Sequence, residues 1–496
     1  MKITFVYKNH ESLGTLYLIS ALKSAGHEVS LVMGFGGENQ RYYSNITRRI
    51  LNNKPDLVAF SCVTDNFLHA NNIAKLLKEN SDLPIIFGGP HINALPDLAI
   101  RKDWVDFICV GEGEKSVPDL AHQLEHTRDG DYSNIPSIRY KRNGQILGSP
   151  LAGFIDNLDD IPYPDKDSYF KIVPSSFSRF YNIITSRGCP YKCSFCFNWY
   201  NRSDYEVLGE KKVFRRRSIE NVVGELKWAK ERWPLKQIIF HDDIFTLDKK
   251  WLSQFLDEYQ RKINIPFRCI THLNTIDQEI ARLLFSSGCH EVSVGIQSFN
   301  EESRKKILNR NDGTNDEIIE KLMILKNTGL AIDVDHILGF PGDSIQDQLQ
   351  ALKIYSTIKP DRINCLWMVY YPKIKLIEIA ENTGLLSGRE IDDIQEGKYS
   401  NENSFYMKGT IKNTPNYYGI CFLLNYLPIL PNTIIYFLVT TKIYKLINIK
   451  SKFLIYTLSQ YLIYTFSIRK LRSIPFIKKT IAFLIFKLRY KIQTLN

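Results

Sequence analysis

The sequence predicts an α/β protein with two βα domains in series, followed by a basic, apolar, helical tail. Three observations support this. Short apolar strands alternate with amphipathic helices over residues 1–150 and again over 178–385, a pattern typical of parallel sheets covered by helices. A chain of 496 residues with 44% hydrophobic content is long enough for two or three folded cores. The tail, 386–496, lacks this alternation.

Residues 1–150 are predicted to form a Rossmann-like, doubly wound parallel sheet. The expected elements are strands at 2–7, 28–33, 56–61, 83–87 and 107–110 and helices at 15–25 and 66–79. The strands end at Ser61, at the pair Gly88 and Gly89, and at Gly111 and Glu112. Ligands of such sheets bind beyond the carboxyl ends of the strands, and glycine there lets a bulky ligand approach the backbone. Glycine is equally common in ordinary turns, so each motif alone leaves both interpretations open.

Residues 132–168 are predicted to connect the two domains. They begin with a hairpin that turns at Asn143 and Gly144, a pair that favours tight two-residue turns. The stretch 156–167 is acidic, contains prolines and lacks a helical stripe, so we assign 151–177 as the linker.

Residues 178–385 are predicted to form a complete or partial barrel of the TIM type. The expected elements are strands at 182–185, 237–240, 267–271, 291–294, 331–338 and 362–368 and helices at 218–233, 278–287 and 315–328. The active site of such a barrel lies at the carboxyl ends of its strands, where Asp242 and Asp243 follow the second strand. The alternative is that one of these aspartates caps the next helix.

Cys189, Cys193 and Cys196 are spaced as C-x3-C-x2-C, which places three thiolates on one loop and suits an iron–sulfur cluster. No fourth cysteine stands nearby in the sequence, so one iron would keep an open position. A structural zinc site is the alternative, but the nearest histidines, His126 and His241, are remote in sequence. Nine cysteines in a long chain, with no secretory signal before them, favour a reducing compartment over disulfides.

The triplet, with Phe195 before its last cysteine, resembles the signature of the radical S-adenosylmethionine (SAM) enzymes. The resemblance implies that Cys189, Cys193 and Cys196 bind a 4Fe-4S cluster whose fourth iron is chelated by SAM. It implies that reductive cleavage of SAM yields a 5′-deoxyadenosyl radical, and that Phe195 lies on the adenine side. It also implies a reductase or a flavodoxin- or ferredoxin-type protein as electron donor.

The same resemblance assigns SAM contacts to residues at the strand ends. These are Asp242 and Asp243 for the amino group, Gln297 and Ser298 for the ribose, and Gly339 and Gly342 beside the adenine. Gln297 stands where relatives carry glutamate, so its hydrogen bond to the ribose would lose its charge. Arg310 and the arginines 215–217 receive no role.

The first domain looks like the cobalamin-binding domain that precedes many radical SAM enzymes. The resemblance implies that Ser61, Gly88, Gly89, Gly111 and Glu112 pack against cobalamin. The D-x-H-x-x-G loop of the wider cobalamin family, whose histidine ligates cobalt, is not reproduced around His10, so His10 is not assigned as a ligand. A sheet domain that has lost cobalamin stays open as an alternative.

The tail holds the whole basic excess of the chain. It carries 14 Lys and Arg and no Asp or Glu from residue 403 onward, whereas the first 402 residues hold 50 basic and 53 acidic residues. A basic, aromatic and apolar tail favours an anionic membrane surface over nucleic acid. Prolines interrupt the charge-free run 413–441, so we predict helices lying in the interface, on the cytoplasmic inner face of the membrane, rather than one spanning helix. The other interpretation is a helical lid packed on the barrel, and the two interpretations are compatible.

The expected function is methylation of an unactivated carbon of a hydrophobic substrate such as a lipid, polyisoprenoid or tetrapyrrole. By the resemblance, the deoxyadenosyl radical removes hydrogen, and the substrate radical then takes a methyl group from methylcobalamin. Two alternatives stay open. One is oxidative cyclisation or rearrangement without methyl transfer, and the other is a non-catalytic, membrane-bound carrier of cobalamin or an iron–sulfur cluster.

Overall fold

The computed structural model describes residues 1–8, 10–35, 38–127, 130–198, 213–398, 415–447, 449, 453–459 and 462–463. Within these ranges the chain forms two large sheets, each covered by helices, a separate two-stranded antiparallel ribbon and a C-terminal helical segment. The predicted α/β fold class is confirmed.

The first domain is a seven-stranded sheet with the strand order β2-β1-β3-β4-β5-β6-β7. Its elements in chain order are β1 (Lys2–Lys8), α1 (Leu13–Ser24), β2 (Glu28–Gly34), α2 (Gln40–Asn52), β3 (Leu57–Ser61), α3 (Thr64–Asn80), β4 (Ile85–Gly88), α4 (Pro90–Ala94), α5 (Pro96–Ile100), β5 (Phe107–Cys109), α6 (Ser116–His126), β6 (Ile138–Arg142) and β7 (Gln145–Gly148). Strands β1 to β5 are parallel, and apolar cores cover both faces of the sheet, as a doubly wound fold requires.

The hairpin of this domain differs from the prediction, and its helices α2, α4, α5 and α6 were not predicted. The hairpin at Asn143 and Gly144 exists, but its strands β6 and β7 extend the first sheet in antiparallel fashion instead of belonging to the connector. Helix α2 was not predicted, although its buried side chains Tyr42, Ile46 and Ile50 recur at helical spacing.

The predicted linker 151–177 is tied to the first domain. It contains a short helix, α7 (Lys166–Phe170), and Tyr169, Val173 and Phe177 pack into the core beneath the first sheet. The fully buried Lys166 pairs with Glu11 and donates to a backbone carbonyl of the second domain at 2.6 Å. The linker therefore fastens the two domains together as well as connecting them.

The second domain is a six-stranded, all-parallel sheet with the order β15-β14-β13-β12-β11-β8. Its elements in chain order are β8 (Phe180–Ile183), β9 (Ser186–Arg187), β10 (Arg215–Arg216), α8 (Ile219–Arg232), β11 (Gln237–Phe240), α9 (Lys249–Lys262), β12 (Phe267–Thr271), α10 (Gln278–Ser286), β13 (Cys289–Gln297), α11 (Glu301–Lys306), α12 (Asn315–Thr328), β14 (Ala331–Leu338), α13 (Ile345–Ile358), β15 (Arg362–Trp367), α14 (Lys375–Asn382) and α15 (Gly388–Gln395). Since the described residues of β8 and β15 do not pair with each other, the barrel is partial. Helices α9, α11, α13, α14 and α15 were not predicted.

The C-terminal segment begins with α16 (Pro415–Tyr426) and α17 (Asn432–Thr440). Helix α16 packs on the barrel: Ile420 and Leu424 are buried in its core, and the Asn425 side-chain amide donates to the Cys365 carbonyl of β15 at 3.3 Å. The helical-lid interpretation therefore holds for α16, which packs on the edge strand β15. The interfacial prediction for the tail stays a prediction. No helix among the described residues is long and apolar enough to cross a bilayer. The basic stretch 474–492 lies outside the described residues.

Candidate active site

The carboxyl ends of β1, β3, β4 and β5 in the first domain and of β8 and β11 in the second face one cavity of about 480 Å³. From the first domain its wall includes all five residues predicted there, namely Ser61, Gly88, Gly89, Gly111 and Glu112. From the second domain it includes Arg187, Gly188, Phe197, Asn198, His241 and Asp243. The other predicted site residues are not in its wall: Cys189, Cys193, Phe195, Cys196, Asp242, Gln297, Ser298, Gly339 and Gly342. The segment around the cysteine triplet and the glycine-rich ends of the first sheet therefore share one chamber.

The glycine pair after β4 leaves no room for a side chain at its second position. Gly89 has a φ of +97°, and a Cβ there would lie 2.8 Å from the Cys62 carbonyl oxygen. A Cβ on Gly88 would meet nothing closer than 3.6 Å. Gly89 is thus required by the fold itself, whereas Gly88 only keeps the cavity wall flat.

Glu112 has a different environment from the one expected. Its carboxylate accepts hydrogen bonds from the Ile155 amide at 2.8 Å and from the guanidinium groups of Arg187 and Arg215. Although burial opposes ionisation, these two arginines hold the pKa of the Glu112 carboxyl below its usual value. Glu112 lines the cavity as part of an ion-pair cluster, and its predicted contact with cobalamin stays a prediction. His10 lies outside the cavity wall and shares a hydrogen bond with the Tyr7 hydroxyl at 3.0 Å.

The three cysteines lie on the excursion of the chain between β9 and β10. Ser194, in the middle of this loop, is fixed by backbone hydrogen bonds to Leu308 at 3.1 Å and from Leu376 at 2.9 Å. Burial raises the pKa of the Cys189 and Cys196 thiols to about 12. Because iron binds thiolates, loading this loop must expel protons, and the binding energy of a metal cluster has to offset that cost.

The donor set of this loop fits a 4Fe-4S cluster. Among the residues the structure describes, no three His, Cys, Asp or Glu side chains converge closely enough to hold a single metal ion. The thiols of Cys189, Cys193 and Cys196 nevertheless lie close enough to influence one another's pKa. A cubane cluster binds each thiolate through a different iron, so it suits three cysteines spread along one short loop.

Sequence reasoning missed a cationic support beneath the cysteine loop. The Arg310 Nη1 lies 4.0 Å from the Cys193 Sγ, while its Nε donates to Asp312 at 2.8 Å. His272 contacts the other oxygen of Asp312 at 3.0 Å, and its ring stacks on Tyr191 of the loop with centroids 4.0 Å apart. No local pattern distinguishes Arg310 from a surface arginine, because Cys193, the partner that gives it a role, lies 117 residues away in the sequence.

The two aspartates after β11 have separate roles in the structure. Asp242 is buried and accepts hydrogen bonds from the Thr185 amide at 3.1 Å and hydroxyl at 2.7 Å, and from the Ser186 hydroxyl. Asp243 faces the cavity and accepts a hydrogen bond from the Asn198 side-chain amide at 3.1 Å. Burial raises the pKa of the Asp243 carboxyl above its usual value. Neither aspartate caps α9, so that expectation was wrong; Asp248 is the cap. Of the pair, Asp243 is placed to receive a cation.

The predicted ribose-contacting segment closes β13 with an irregular turn. Gln297 has a φ of +66°, and its side-chain amide folds over Gly295, where a Cβ would lie only 2.4 Å from its Nε2. The Ser298 hydroxyl accepts a hydrogen bond from the Asn300 amide at 3.1 Å, so it supports the start of α11. The contacts of both side chains with SAM stay predictions.

The predicted adenine-side residues lie at the far end of the barrel sheet. Gly339 and Gly342 have φ values of +76° and +81°, and the Gly339 amide donates to the Asp343 carboxylate at 2.7 Å. Phe195 is half-buried against an apolar cluster that contains Leu308 and Phe340. Phe195 of the cysteine loop and Phe340 of the Gly339–Gly342 turn thus belong to one apolar cluster. The contacts of Phe195, Gly339 and Gly342 with SAM stay predictions.

Comparisons with known proteins agree with this division of the chain. Residues 183–353 match the radical SAM superfamily model, and residues 3–121 match the B12 binding domain model. The chain is 28% identical over 382 residues to an uncharacterized methyltransferase of Pyrococcus horikoshii, covering 75% of this chain and 79% of that protein. It is 24% identical over 395 residues to the anaerobic magnesium-protoporphyrin IX monomethyl ester cyclase of Rubrivivax gelatinosus. This match covers 75% of this chain and 68% of the cyclase.

A solved structure shares the whole architecture. The cobalamin-dependent SAM radical enzyme OxsB with aqua-cobalamin bound superposes with a TM-score of 0.64 at 15% identity, covering 99% of this chain and 84% of that one. At this identity the likeness concerns the fold, and it includes the order of the two domains.

The fold and the site are those of a radical SAM enzyme that carries a B12-binding domain ahead of its barrel. The chain belongs to this family, as the cysteine triplet and the two family models show. The cofactors of these domains are a 4Fe-4S cluster, SAM and cobalamin.

Proposed function

We propose that the protein methylates an unactivated carbon of a hydrophobic substrate. The observation that carries this proposal is the shared cavity: Gly88 and Gly111 of the B12-binding domain and Asp243 of the barrel line the same chamber. When bound, the cluster with SAM supplies a hydrogen-abstracting radical, and cobalamin supplies a methyl group. A radical reaction between two cofactors needs both of them to reach one substrate carbon, and a common cavity supports that requirement.

The residues of the chain have distinct tasks in this proposal. Cys189, Cys193 and Cys196 hold the cluster. The Asp243 carboxylate receives the ammonium group of SAM, where opposite charges strengthen the hydrogen bond. The glycines after β4 and β5 let a flat, bulky cofactor lie against the backbone. Apolar side chains exclude water from the chamber and leave space that favours a hydrophobic substrate; they include Phe5, Leu18, Ile86, Val117, Phe154 and Ile184.

Radical cyclisation without methyl transfer is the second candidate. It is favoured by the likeness to the Rubrivivax gelatinosus cyclase, which covers three quarters of the chain. The two reactions leave different products from SAM: methyl transfer yields S-adenosylhomocysteine together with 5′-deoxyadenosine, whereas cyclisation yields no S-adenosylhomocysteine.

The experiment is an anaerobic assay of the reconstituted protein with SAM, a low-potential reductant, cobalamin, and lipid or tetrapyrrole extracts. We expect both SAM products together with a methylated substrate; 5′-deoxyadenosine alone would favour cyclisation. Cys193→Ala should abolish 5′-deoxyadenosine formation. Cys269→Ala is the matched control, because Cys269 is also a buried cysteine of the barrel but lies outside the loop. Wild-type turnover by Cys193→Ala would overturn the radical assignment.

We also propose that the protein docks peripherally on the cytoplasmic face of an anionic membrane through α17 and the turn after it. Tyr436, Phe437 and Leu446 are 72%, 55% and 80% exposed, although large apolar side chains are usually buried. Lys442 and Lys445 are exposed beside them and match the charge of anionic lipid headgroups.

A vesicle flotation assay tests this docking. The full chain should bind phosphatidylserine vesicles more strongly than phosphatidylcholine vesicles, and less at high salt. Combined Tyr436→Ser and Phe437→Ser substitution should weaken binding. The same change at Ile146 and Leu147, which are exposed on the first-domain hairpin, is the matched control. Equal binding by both double variants would contradict the proposal.

The electron donor is proposed to be a flavodoxin- or ferredoxin-type protein or a reductase. The reaction of radical SAM enzymes needs one electron at low potential. The support for such a donor is the radical SAM domain alone.

A further inference from the structure

The cysteine loop leaves and rejoins the fold at one short ribbon. Strands β9 and β10 pair antiparallel, so that Arg187 and Arg215 stand opposite each other. Arg187 lies two residues before Cys189, the first cysteine of the triplet. Whatever fixes this arginine pair therefore fixes the base of the loop that holds the cluster.

Two glutamates of the other domain hold this base. They follow β5 in the segment Gly111-Glu112-Gly113-Glu114. The Arg187 guanidinium contacts Glu112 at 3.0 Å and Glu114 at 2.5 Å through different nitrogens. Arg215 contacts both oxygens of Glu112, at 2.8 and 2.9 Å. All these contacts are charge-assisted. Arg215 pairs with Glu112 in a bidentate geometry, whereas Arg187 bridges two carboxylates with its two terminal nitrogens, so both guanidinium groups are fixed in orientation.

The four side chains are nearly withdrawn from solvent, with exposures between 3% and 17%. Their charges cancel, and Arg215 also donates to the Ile155 carbonyl at 2.7 Å and stacks 4.2 Å from the Phe154 ring. A buried ion pair gains little net stability against its desolvation cost, but it strongly disfavours any arrangement that separates its members. This cluster of Glu112, Glu114, Arg187 and Arg215 therefore specifies position more than it adds stability.

The same residues form part of the cavity wall. All four of them line the chamber, together with Gly111 on one side and Gly188 on the other. A ligand that fills the first-domain side of the chamber thus contacts the segment that orients the base of the cysteine loop.

We infer that this four-residue cluster couples cobalamin binding in the cavity to the placement of the cysteine loop. Glu112 and Glu114 act as positioning residues. Cobalamin bound in the cavity fixes the segment that carries them. The two glutamates in turn orient Arg187, and Arg187 orients the loop that holds the cluster. By thermodynamic linkage the effect is reciprocal, so a loaded cluster tightens cobalamin binding by the same factor. The inference rests on the proposed function insofar as both cofactors share the cavity.

The test compares the hydroxocobalamin affinity of the full chain before and after reconstitution of the cluster in the presence of SAM. For the wild type we expect at least about a fivefold gain in affinity on reconstitution, the lower end of typical coupling. Arg187→Gln and, separately, Glu114→Gln should reduce this gain to less than about twofold while retaining iron. Glu114→Gln leaves the contacts of Glu112 with Arg187 and Arg215 in place. It can therefore replace Arg187→Gln in the test if that variant fails to fold.

Lys102→Gln is the matched control. Lys102 of the first domain pairs with Glu396, next to α15, at 2.8 Å, so it also bridges the domains but touches neither the cavity nor the loop. It should keep the wild-type gain. Wild-type coupling in Arg187→Gln and Glu114→Gln, or loss of coupling in Lys102→Gln as well, would overturn the inference. Absence of any hydroxocobalamin binding by the wild type would instead refute the proposed function.

Discussion

Replacing Gly188 by alanine tests whether the backbone before Cys189 is as tightly constrained as the structure shows. Gly188 has a φ of +87°, and a Cβ there would lie 2.0 Å from the carbonyl oxygen of Val213. The left-handed conformation costs a non-glycine residue about 1–2 kcal/mol, and forcing atoms into a packed site costs about 1–3 kcal/mol more. Together these predict a loss of roughly 2–5 kcal/mol, concentrated at the base of the cysteine loop.

The assay is iron content after anaerobic reconstitution, combined with urea unfolding. Gly188→Ala should retain less iron than the wild type, because the methyl group must separate β9 from β10. Gly144→Ala is the control: its φ is +73°, but a Cβ there meets nothing within 4 Å, so it bears only the conformational cost. Full iron content in Gly188→Ala, with a stability loss no larger than that of Gly144→Ala, would refute this reasoning.

Two further predictions concern charges in the barrel. Arg310→Gln should lower the midpoint potential of the cluster by on the order of 50 mV in an EPR-monitored titration, because a cation near Cys193 favours the more negative reduced cluster. For Asp343, burial raises the carboxyl pKa to about 7, above an unfolded value of about 4. Between these pH values the Asp343 carboxyl is protonated in the folded state and ionised in the unfolded state. The free energy of unfolding of the wild-type protein should therefore fall as the pH rises from about 4 to 7, by at most about 4 kcal/mol. Asp343→Asn should flatten this fall.

Each of these predictions has its own control. Arg310→Lys keeps the charge and should shift the potential less than Arg310→Gln; equal shifts would argue against an electrostatic cause. For Asp343, urea midpoints at pH 5 and pH 8 are compared between wild type and variant, since other groups titrate equally in both. An unchanged pH dependence in Asp343→Asn would show that another group is responsible.

Much of the framework was accessible from sequence because it depends on local patterns. Alternating apolar strands and amphipathic helices predicted both sheets, and β11, β12 and β14 begin and end where predicted. The glycines that end β4 and β5 do line the cavity, as the rule for parallel sheets indicates.

What sequence could not predict depends on contacts between distant segments. Glu112 and Arg215 are 103 residues apart, so their ion pair has no local signature. Arg310 comes to lie beside Cys193 only when the partial barrel folds, because the two residues are 117 positions apart in the chain. Likewise, the apolar run that begins α16 suits a membrane as well as a protein core, and only the edge strand β15 decides between them.

The central claim is that one chain binds a SAM-reactive cluster and cobalamin together. The most direct test is an anaerobic EPR and absorption measurement on protein reconstituted with iron and sulfide, supplied with cobalamin, and passed through gel filtration. We predict a reduced 4Fe-4S signal that changes when SAM is added, with cobalamin co-eluting with the protein. A cluster signal indifferent to SAM would contradict the radical assignment, and loss of cobalamin on the column would contradict the two-cofactor site.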